Sequence, residues 1–434
     1  MFLTSLSIMN TTLNKTMSNL RVLIVGASVA GPTAAYWFSK AGASVTVIER
    51  FPQLRTGGQN IDIRTIGVEV MRKIPGMEAA VRANAAPVDG LSIVRNNGRP
   101  YGTIRGTGNP DEQSLLSEYE IYRGDLSRLL VDMTKAHGNV RYVFGEQASS
   151  FNYKSGDDGP VTAEFANGEP PSEYDLVVAC DGATSRTRAL ALGCGVREYI
   201  HPTNCWAAYY SAQKDFLRGS RVGLGFTAPR GRMLAIGPHA SGLSRIVLMG
   251  VNQGSSNPAV LKFREALGRG DSAVKSFLAE HYRGAGWVSD EAIEHMLRSD
   301  DFYASEIVQV KPPRFYNGRI ALVGDAGYAP GPTGTGTSLA LVGAYVLAGE
   351  ISAHGGDLAA GLRAYEDRMR PIVDECQVIP PFVHSIMAPQ TAPGIWLRNT
   401  IFWVVCQLGI VDFVQKYFGG VFAAHKDKLP HYKF

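Results

Sequence analysis

The first long apolar run of the chain, Val22-Leu23-Ile24-Val25, is followed by helically spaced apolar positions over residues 29–40 and by a second apolar run from Ser44 to Ile48. A short run without polar alternation predicts a strand buried on both faces, so strand, helix and strand in this order predict a parallel βαβ unit. Asp175–Cys180 and Arg319–Val323 are runs of the same kind, and each leads into an Asp-Gly or Gly-Asp pair. They predict further strands of the same sheet.

Five other segments alternate instead: Leu91–Arg95, Val161–Phe165, Cys205–Ala212, Val222–Thr227 and Arg245–Val251. Alternation predicts strands with one covered face, and together these predict a second, mainly antiparallel sheet. Residues 258–298 and 334–376 have helical spacing, the latter entered through the Gly/Pro/Thr-rich stretch Pro330–Gly336. The expected fold class is α/β: a Rossmann-like dinucleotide-binding domain with a parallel sheet, interleaved with a mainly antiparallel β-sheet substrate domain, plus C-terminal helices. By residue, the expected division is a leader over 1–20, the nucleotide domain over 21–90, 120–198 and 312–375, the substrate domain over 91–119 and 199–311, and a helical segment over 376–434.

With 434 residues, 45% of them hydrophobic and 19% charged, the chain has the apolar content for two cores. Its net charge of +4 is spread without a Lys/Arg cluster, which argues against a nucleic-acid partner. Five scattered cysteines without a CxxC pair predict reduced thiols, and nine histidines without an i,i+4 pair or HExxH motif give no support for a bound metal. Residues 1–20 lack the basic n-region and small-residue cleavage site of a signal peptide, so a disordered leader and a cytoplasmic setting are expected. Between Ile395 and Phe422 an aromatic and aliphatic stretch is interrupted by Arg398, Asn399, Gln407 and Asp412, which predicts a packed helical cover over the substrate domain rather than a membrane span or anchor.

The turn after the first strand, Gly26-Ala27-Ser28-Val29-Ala30-Gly31, nearly spells the glycine fingerprint of dinucleotide sites. There the first glycine makes the turn, the second admits the pyrophosphate, and the third lets helix and strand pack closely. Ser28 replaces the second; it is small, and it is expected to cap the helix while leaving its N-terminus aimed at the phosphates. Glu49, at the end of the second strand, stands where an acidic side chain accepts hydrogen bonds from an adenosine ribose. The same residues fit a G-x-S-x-G nucleophile elbow with its last glycine changed, which keeps a hydrolase with Ser28 as nucleophile as a remote alternative. An elbow needs an oxyanion donor from an earlier strand, and none precedes this one.

Taken in order, G-x-S-x-x-G with Glu49-Arg50, Asp181-Gly182-Ala183-Thr184-Ser185, and Gly324-Asp325-Ala326 with its Pro/Gly loop resemble the class A FAD-dependent monooxygenases related to para-hydroxybenzoate hydroxylase, over residues 21–375. Within that family Gly57–Arg64 and Gly334–Ala340 are most similar to the branch of tetracycline-inactivating and polyketide-tailoring hydroxylases. The resemblance implies FAD as cofactor, with Gly26, Ser28 and Gly31 around its pyrophosphate, Glu49 at the ribose, Arg50 at the adenylate edge and Asp62 by the flavin. It matches Arg123 to an arginine that contacts FAD where its helix begins, Asp181-Gly182 to an aspartate near the pyrophosphate and the nicotinamide route, and Asp325 to the residue that holds the ribityl hydroxyls. The loop ending in Gly336, Thr337 and Ser338 would turn backbone N–H groups toward the flavin's pyrimidine edge. Three departures stand out: Gly327-Tyr328 replaces the usual histidine, the loop is one residue shorter, and Ser338 replaces the usual asparagine.

By the same resemblance, NADPH or NADH visits as a transient co-substrate to reduce the flavin, O2 adds to it, and a flavin hydroperoxide hydroxylates a phenolic or enolic small molecule of polyketide type. A flavin oxidase or dehydrogenase, an epoxidase and a Baeyer-Villiger enzyme share the fold and stay open as alternatives. The pocket is expected between the flavin and the antiparallel sheet, lined by Tyr209, Tyr210, Phe226 and Met233. No general base is assigned, and the oligomeric state stays open.

Overall fold

The computed structural model describes residues 17, 20–55, 59–106, 117–153, 159–239, 241–254, 257–380, 382–410 and 429–434. Most of the leader, Gly57 and Gly58, and residues 411–422 of the expected C-terminal cover lie outside the described residues.

The apolar runs assemble into one six-stranded sheet in the order β17 (Tyr316–Asn317), β18 (Ile320–Leu322), β11 (Leu176–Ala179), β1 (Arg21–Val25), β2 (Ser44–Glu49), β7 (Val140–Phe144). Every pairing is parallel except that of β17 with β18. Val25, the last residue of β1, is registered against Ala179 on one side and Ile48 on the other. The chain leaves β1 for β2 on one side and returns to β11 on the other, so the carboxyl end of β1 is the switch point where open α/β sheets bind ligands.

The helices in chain order are α1 (Ala30–Lys40), α2 (Ile66–Lys73), α3 (Met77–Ala83), α4 (Arg123–Lys135), α5 (Arg186–Leu192), α6 (Pro258–Arg269), α7 (Asp271–Tyr282), α8 (Ser289–Arg298), α9 (Asp325–Tyr328), α10 (Gly336–Ala353), α11 (Leu358–Cys376), α12 (Val383–Met387) and α13 (Ala392–Gln407). By length and composition α10 could cross a membrane, but it is buried among α1, α2 and α11. A helix apolar on all sides belongs in such a core.

The second sheet has seven strands in the order β16 (Tyr303–Val310), β12 (Ile200–Ala212), β15 (Ser244–Val251), β14 (Arg232–Pro238), β13 (Val222–Ala228), β4 (Gly90–Val94), β5 (Pro100–Arg105). It is antiparallel except between β13 and β4. From one face Trp206, Tyr210, Leu234, Ile236, Ile246 and Leu248 enter a core with Phe263, Leu278 and Met296 of α6, α7 and α8. Their neighbours along the strands, among them Tyr209, Met233 and the buried Arg245, stand on the opposite face, open in the sense that α6, α7 and α8 do not cover it.

Val161–Phe165 departs from expectation. As β9 (Val161–Phe165) it joins β8 (Ala148–Tyr153) and β10 (Ser172–Tyr174) in a separate three-stranded antiparallel sheet, where Val161 and Ala163 pack against Val177 and Ile320 of the parallel sheet. Alternation marks a half-covered strand without saying which sheet receives it. A last pair, β3 (Asn60–Asp62) and β6 (Glu120–Tyr122), forms a two-stranded antiparallel ribbon.

The described part of the C-terminal stretch is a helical cover: α13 lies on β5 and β13. The approach is close enough that a Cβ on Gly102 would sit 2.4 Å from Cys406 Sγ. Arg398 donates to Thr227 Oγ1 at 2.9 Å and to the Met387 carbonyl at 3.0 Å, fastening the helix to the sheet. The final residues return to the parallel sheet's helices, where Phe434 lies 4.8 Å from the Trp37 ring and the Tyr432 hydroxyl donates to Glu350 Oε1 at 2.6 Å.

Candidate active site

At the carboxyl end of β1 the backbone turns through Gly26, whose φ of 107° is left-handed. A Cβ there would stand 2.5 Å from the Cys180 carbonyl oxygen, and one on Gly31 would stand 1.8 Å from that of Gly26. Both glycines therefore meet the turning and close-packing demands of the fingerprint. Ser28 does not act as the cap: Val29 is the N-cap of α1, no side chain caps the helix, and its first turn holds no acidic residue. The Ser28 hydroxyl instead accepts from Arg123 Nε at 3.1 Å and lies 3.4 Å from Ser127 Oγ. Neither neighbour is a base, which removes the nucleophile reading. The uncapped first turn leaves backbone N–H groups for an anion, and this is the feature that fits a diphosphate.

Glu49 ends β2 and pins this turn: Oε2 accepts from the Ala27 N–H at 2.9 Å and Oε1 from the Phe51 N–H at 3.1 Å. Each oxygen retains a lone pair for a further donor such as a ribose hydroxyl. Arg50 lies over the Phe51 ring at 4.9 Å, and Arg55, which sequence reasoning missed, approaches the same ring at 4.5 Å. Burial and then the charge of Arg123 lower the Arg55 pKa, the mark of like charges gathered in a recess. The one available signal for Arg55 was a basic residue just before the Gly57-Gly58 pair. Arg50, Arg55 and Arg123 together place positive charge beside the phosphate turn.

After β11, Asp181 Oδ1 accepts from the Ser185 hydroxyl at 2.5 Å and Oδ2 from the Thr187 N–H at 3.1 Å, while Gly182 takes a left-handed φ of 84°. The turn-forming role open to any Asp beside Gly is thus present. Arg188, also missed, is fully buried and donates to the carbonyls of Ala183, Val196 and Ala326 at 2.8 to 2.9 Å. It ties the turn after β11 to the turn after β18. Asp325 opens α9 with its Oδ1 3.8 Å from where a Cβ on Gly336 would stand. Burial raises the Asp325 pKa, and Arg123 pulls it back down. Arg123 therefore links the phosphate turn, through Ser28, to Asp325.

The N-terminus of α10 is a second open one: Thr335 is its N-cap, no side chain caps it, and its first turn, Gly336, Thr337 and Ser338, is free of acidic residues. Its positive end favours an electron-rich partner. The Ser338 hydroxyl is committed to the backbone of Arg64, and Arg64 in turn pairs with Asp62 at 2.8 Å, so that the residue in the usual asparagine position fastens the 62–64 loop. Tyr328, in the region of the replaced histidine, is fully buried, with its hydroxyl 3.0 Å from that of Tyr365. It belongs to the core.

On the open face of the second sheet Tyr209 stacks with Tyr303 at 6.4 Å, and Arg55 lies 5.7 Å from the Tyr303 ring. Burial raises the Tyr209 pKa to about 12, with Tyr303 adding and the nearby Arg123 and Arg245 opposing. Tyr209 thus faces the arginine-lined recess. Tyr210 and Phe226 do not, against expectation: Tyr210 is fully buried under α8 and donates to the Ala292 carbonyl at 2.8 Å, and Phe226 lies 5.8 Å from Trp287 on the helix-covered side. Consecutive strand residues point to opposite faces, so Tyr209 and Tyr210 could never line one pocket together. Met233 is on the open face but packs with Cys205, Val251 and Ala388.

A family model described as an FAD binding domain matches residues 19–267. The chain belongs to that family. It is a class A FAD-dependent monooxygenase with a small-molecule substrate. It is 33% identical over 383 residues to the FAD-dependent monooxygenase asL4 of Sarocladium schorii, covering 83% of this chain and 86% of that one. To the monooxygenase CTB7 of Cercospora beticola it is 32% identical over 427 residues, 96% of this chain and 98% of that one. Among solved structures, the tetracycline destructase Tet(55) superposes with a TM-score of 0.74 at 29% identity, covering 96% of this chain and 99% of that one.

Proposed function

We propose that this monooxygenase hydroxylates a phenolic or enolic small molecule of polyketide type, with NADPH or NADH as transient co-substrate and O2 as the oxygen source. The observation that carries the reading is the place of Tyr209, stacked with Tyr303 on the open face of the substrate sheet and within reach of the charge of Arg123. An aromatic face suits a flat conjugated ring, and nearby guanidinium groups favour the electron-rich phenolate or enolate form. The likeness to a tetracycline destructase supports the polyketide type.

In this reading FAD is held by Gly26, Ser28, Gly31, Glu49, Arg50, Asp62, Arg123, Asp181, Gly182, Asp325, Gly336, Thr337 and Ser338. When bound, FAD supplies the redox chemistry that activates oxygen. The chain's own residues bind and orient: the open first turn of α1 and the arginines neutralise the diphosphate, Asp325 accepts from hydroxyls, and the start of α10 directs its positive end inward. The reading takes residues 21–90, 120–198 and 312–375 as the nucleotide part and residues 91–119 and 199–311 as the substrate part. A cytoplasmic setting is part of the reading, supported by five cysteines that are all free thiols.

The test is oxygen-dependent oxidation of NADPH and NADH by the flavin-loaded protein across a panel of phenolic polyketides, with product masses and NMR structures. One added oxygen is expected. Loss of two hydrogens would mark a dehydrogenase, and a lactone product a Baeyer-Villiger enzyme; either would overturn the hydroxylase reading.

A further inference from the structure

The β3–β6 ribbon sends Ile61 and Ile121 into the core and carries Asn60, Asp62, Glu120 and Tyr122 on its other face. Tyr122 donates to the Pro238 carbonyl at 2.8 Å, so this face meets the end of β14. Arg123, the next residue, reaches Ser28. The ribbon therefore joins the phosphate turn to the substrate sheet.

Asp62 and Glu120 are direct partners across the ribbon, an arrangement in which two like charges repel. Arg64 sends two donors to Asp62, Nε at 3.1 Å and Nη2 at 2.8 Å, both to Oδ2. Glu120 receives a neutral donor, Asn60 Nδ2, at 2.8 Å. The charged groups that act on Glu120 are Asp62 from the facing strand and Arg64 from the loop after it, and on its own strand Tyr122 answers to Arg245 and Asp125. Residues 84–88, which pack against β6 through Ala85 and Ala86, hold no titratable side chain, and His239 faces Tyr122 at 5.1 Å. One guanidinium thus serves two carboxyl groups.

We propose that Glu120 is a positioning residue for Asp62 and acts as a neutral carboxylic acid. With Glu120 protonated the pair carries one negative charge, which Arg64 balances, and Asp62 keeps its place. Loss of the proton sets a second charge opposite Asp62 and displaces it. Burial, then the charge of Asp62, pushes the Glu120 pKa up to about 7, so this loss falls in the neutral range. The role rests on the reading that Asp62 stands by the flavin.

The test uses the FAD-loaded protein, wild type beside Glu120→Gln, which mimics the neutral acid, and Glu120→Ala, which removes it. Between about pH 6 and about pH 8.5 the wild-type infrared difference spectrum should lose a protonated-carboxyl band that is missing in E120Q. Over the same range the wild-type bound-flavin absorbance should shift and FAD retention fall about tenfold, with E120Q fixed in the low-pH form and E120A altered at every pH. Absence of the Glu120 band overturns the neutral acid. A band that titrates while the flavin spectrum stays constant overturns the placement of Asp62. Identical behaviour of E120A and E120Q reduces Glu120 to filling space.

Discussion

The backbone of Arg64 is held by a single hydroxyl: Ser338 Oγ accepts from its N–H and donates to its carbonyl, each at 2.9 Å. The bond pair joins the loop after β3 to the first turn of α10, two segments far apart in sequence that flank the candidate flavin position. Gly67 makes room for it, since a Cβ there would lie 2.6 Å from the same Oγ.

Ser338→Ala should therefore leave a backbone donor and acceptor unpaired at a site only 1% exposed, at a cost of about 1–3 kcal/mol. Chemical denaturation should show a lower midpoint, and gel filtration should strip FAD more readily than from wild type. An unchanged midpoint would mean that solvent replaces the hydroxyl.

The phosphate turn separates two glycine-fingerprint positions by sterics. Gly31→Ala places a Cβ 1.8 Å from the Gly26 carbonyl, so the variant should purify without FAD or fail to fold. Ser28→Gly removes only a hydroxyl that accepts from Arg123, so FAD should stay bound with affinity weakened by no more than about tenfold, and turnover should persist. Loss of turnover with flavin retained would return Ser28 to a catalytic role.

Glu78 supplies a pH test away from the cofactor. The Tyr119 hydroxyl, then Arg82 and Arg72, hold its carboxyl down to about 2 from an unfolded value of 4.5. A depressed carboxyl stabilises the fold above the unfolded pKa and loses that contribution as pH falls toward the folded one. Glu78→Gln should lower Tm at neutral pH and flatten its decline between about pH 5 and about pH 2.5, checked by calorimetry. Parallel wild-type and variant curves would show that the carboxylate contributes no such linkage.

Much of this site was legible because the chemistry of a βα turn is local. Gly26, Gly31 and Glu49 stand where strand ends place them, and the apolar runs through Val22, Val177 and Ala321 read as a parallel sheet because both of their faces are covered. What failed depended on tertiary contacts that a single sequence does not encode locally. Val161–Phe165 alternates like the substrate strands yet joins a sheet under β11 and β18. Arg188 gains its role from carbonyls on two separate turns, and Arg55 from a ring and two arginines brought together by folding. The residue type of Ser28 favours a cap, but the helix begins a residue later, with Val29 at its N-cap.

The sharpest separation of substrate contact from core lies between adjacent tyrosines. Tyr210 donates to the Ala292 carbonyl beneath α8, so Tyr210→Phe leaves that buried acceptor short of a partner and should lower stability by about 1 kcal/mol with KM unchanged. Tyr209 stacks on Tyr303 at 6.4 Å on the open face, so Tyr209→Ala should raise KM for an aromatic substrate by about tenfold, the worth of one lost aromatic contact, in addition to the Tm lost with its packing. Steady-state kinetics beside thermal melts of the two variants decide it. If Tyr209→Ala only melts early, with KM intact, the open face of the sheet is packing rather than a substrate wall, and the pocket must lie elsewhere along the cofactor edge.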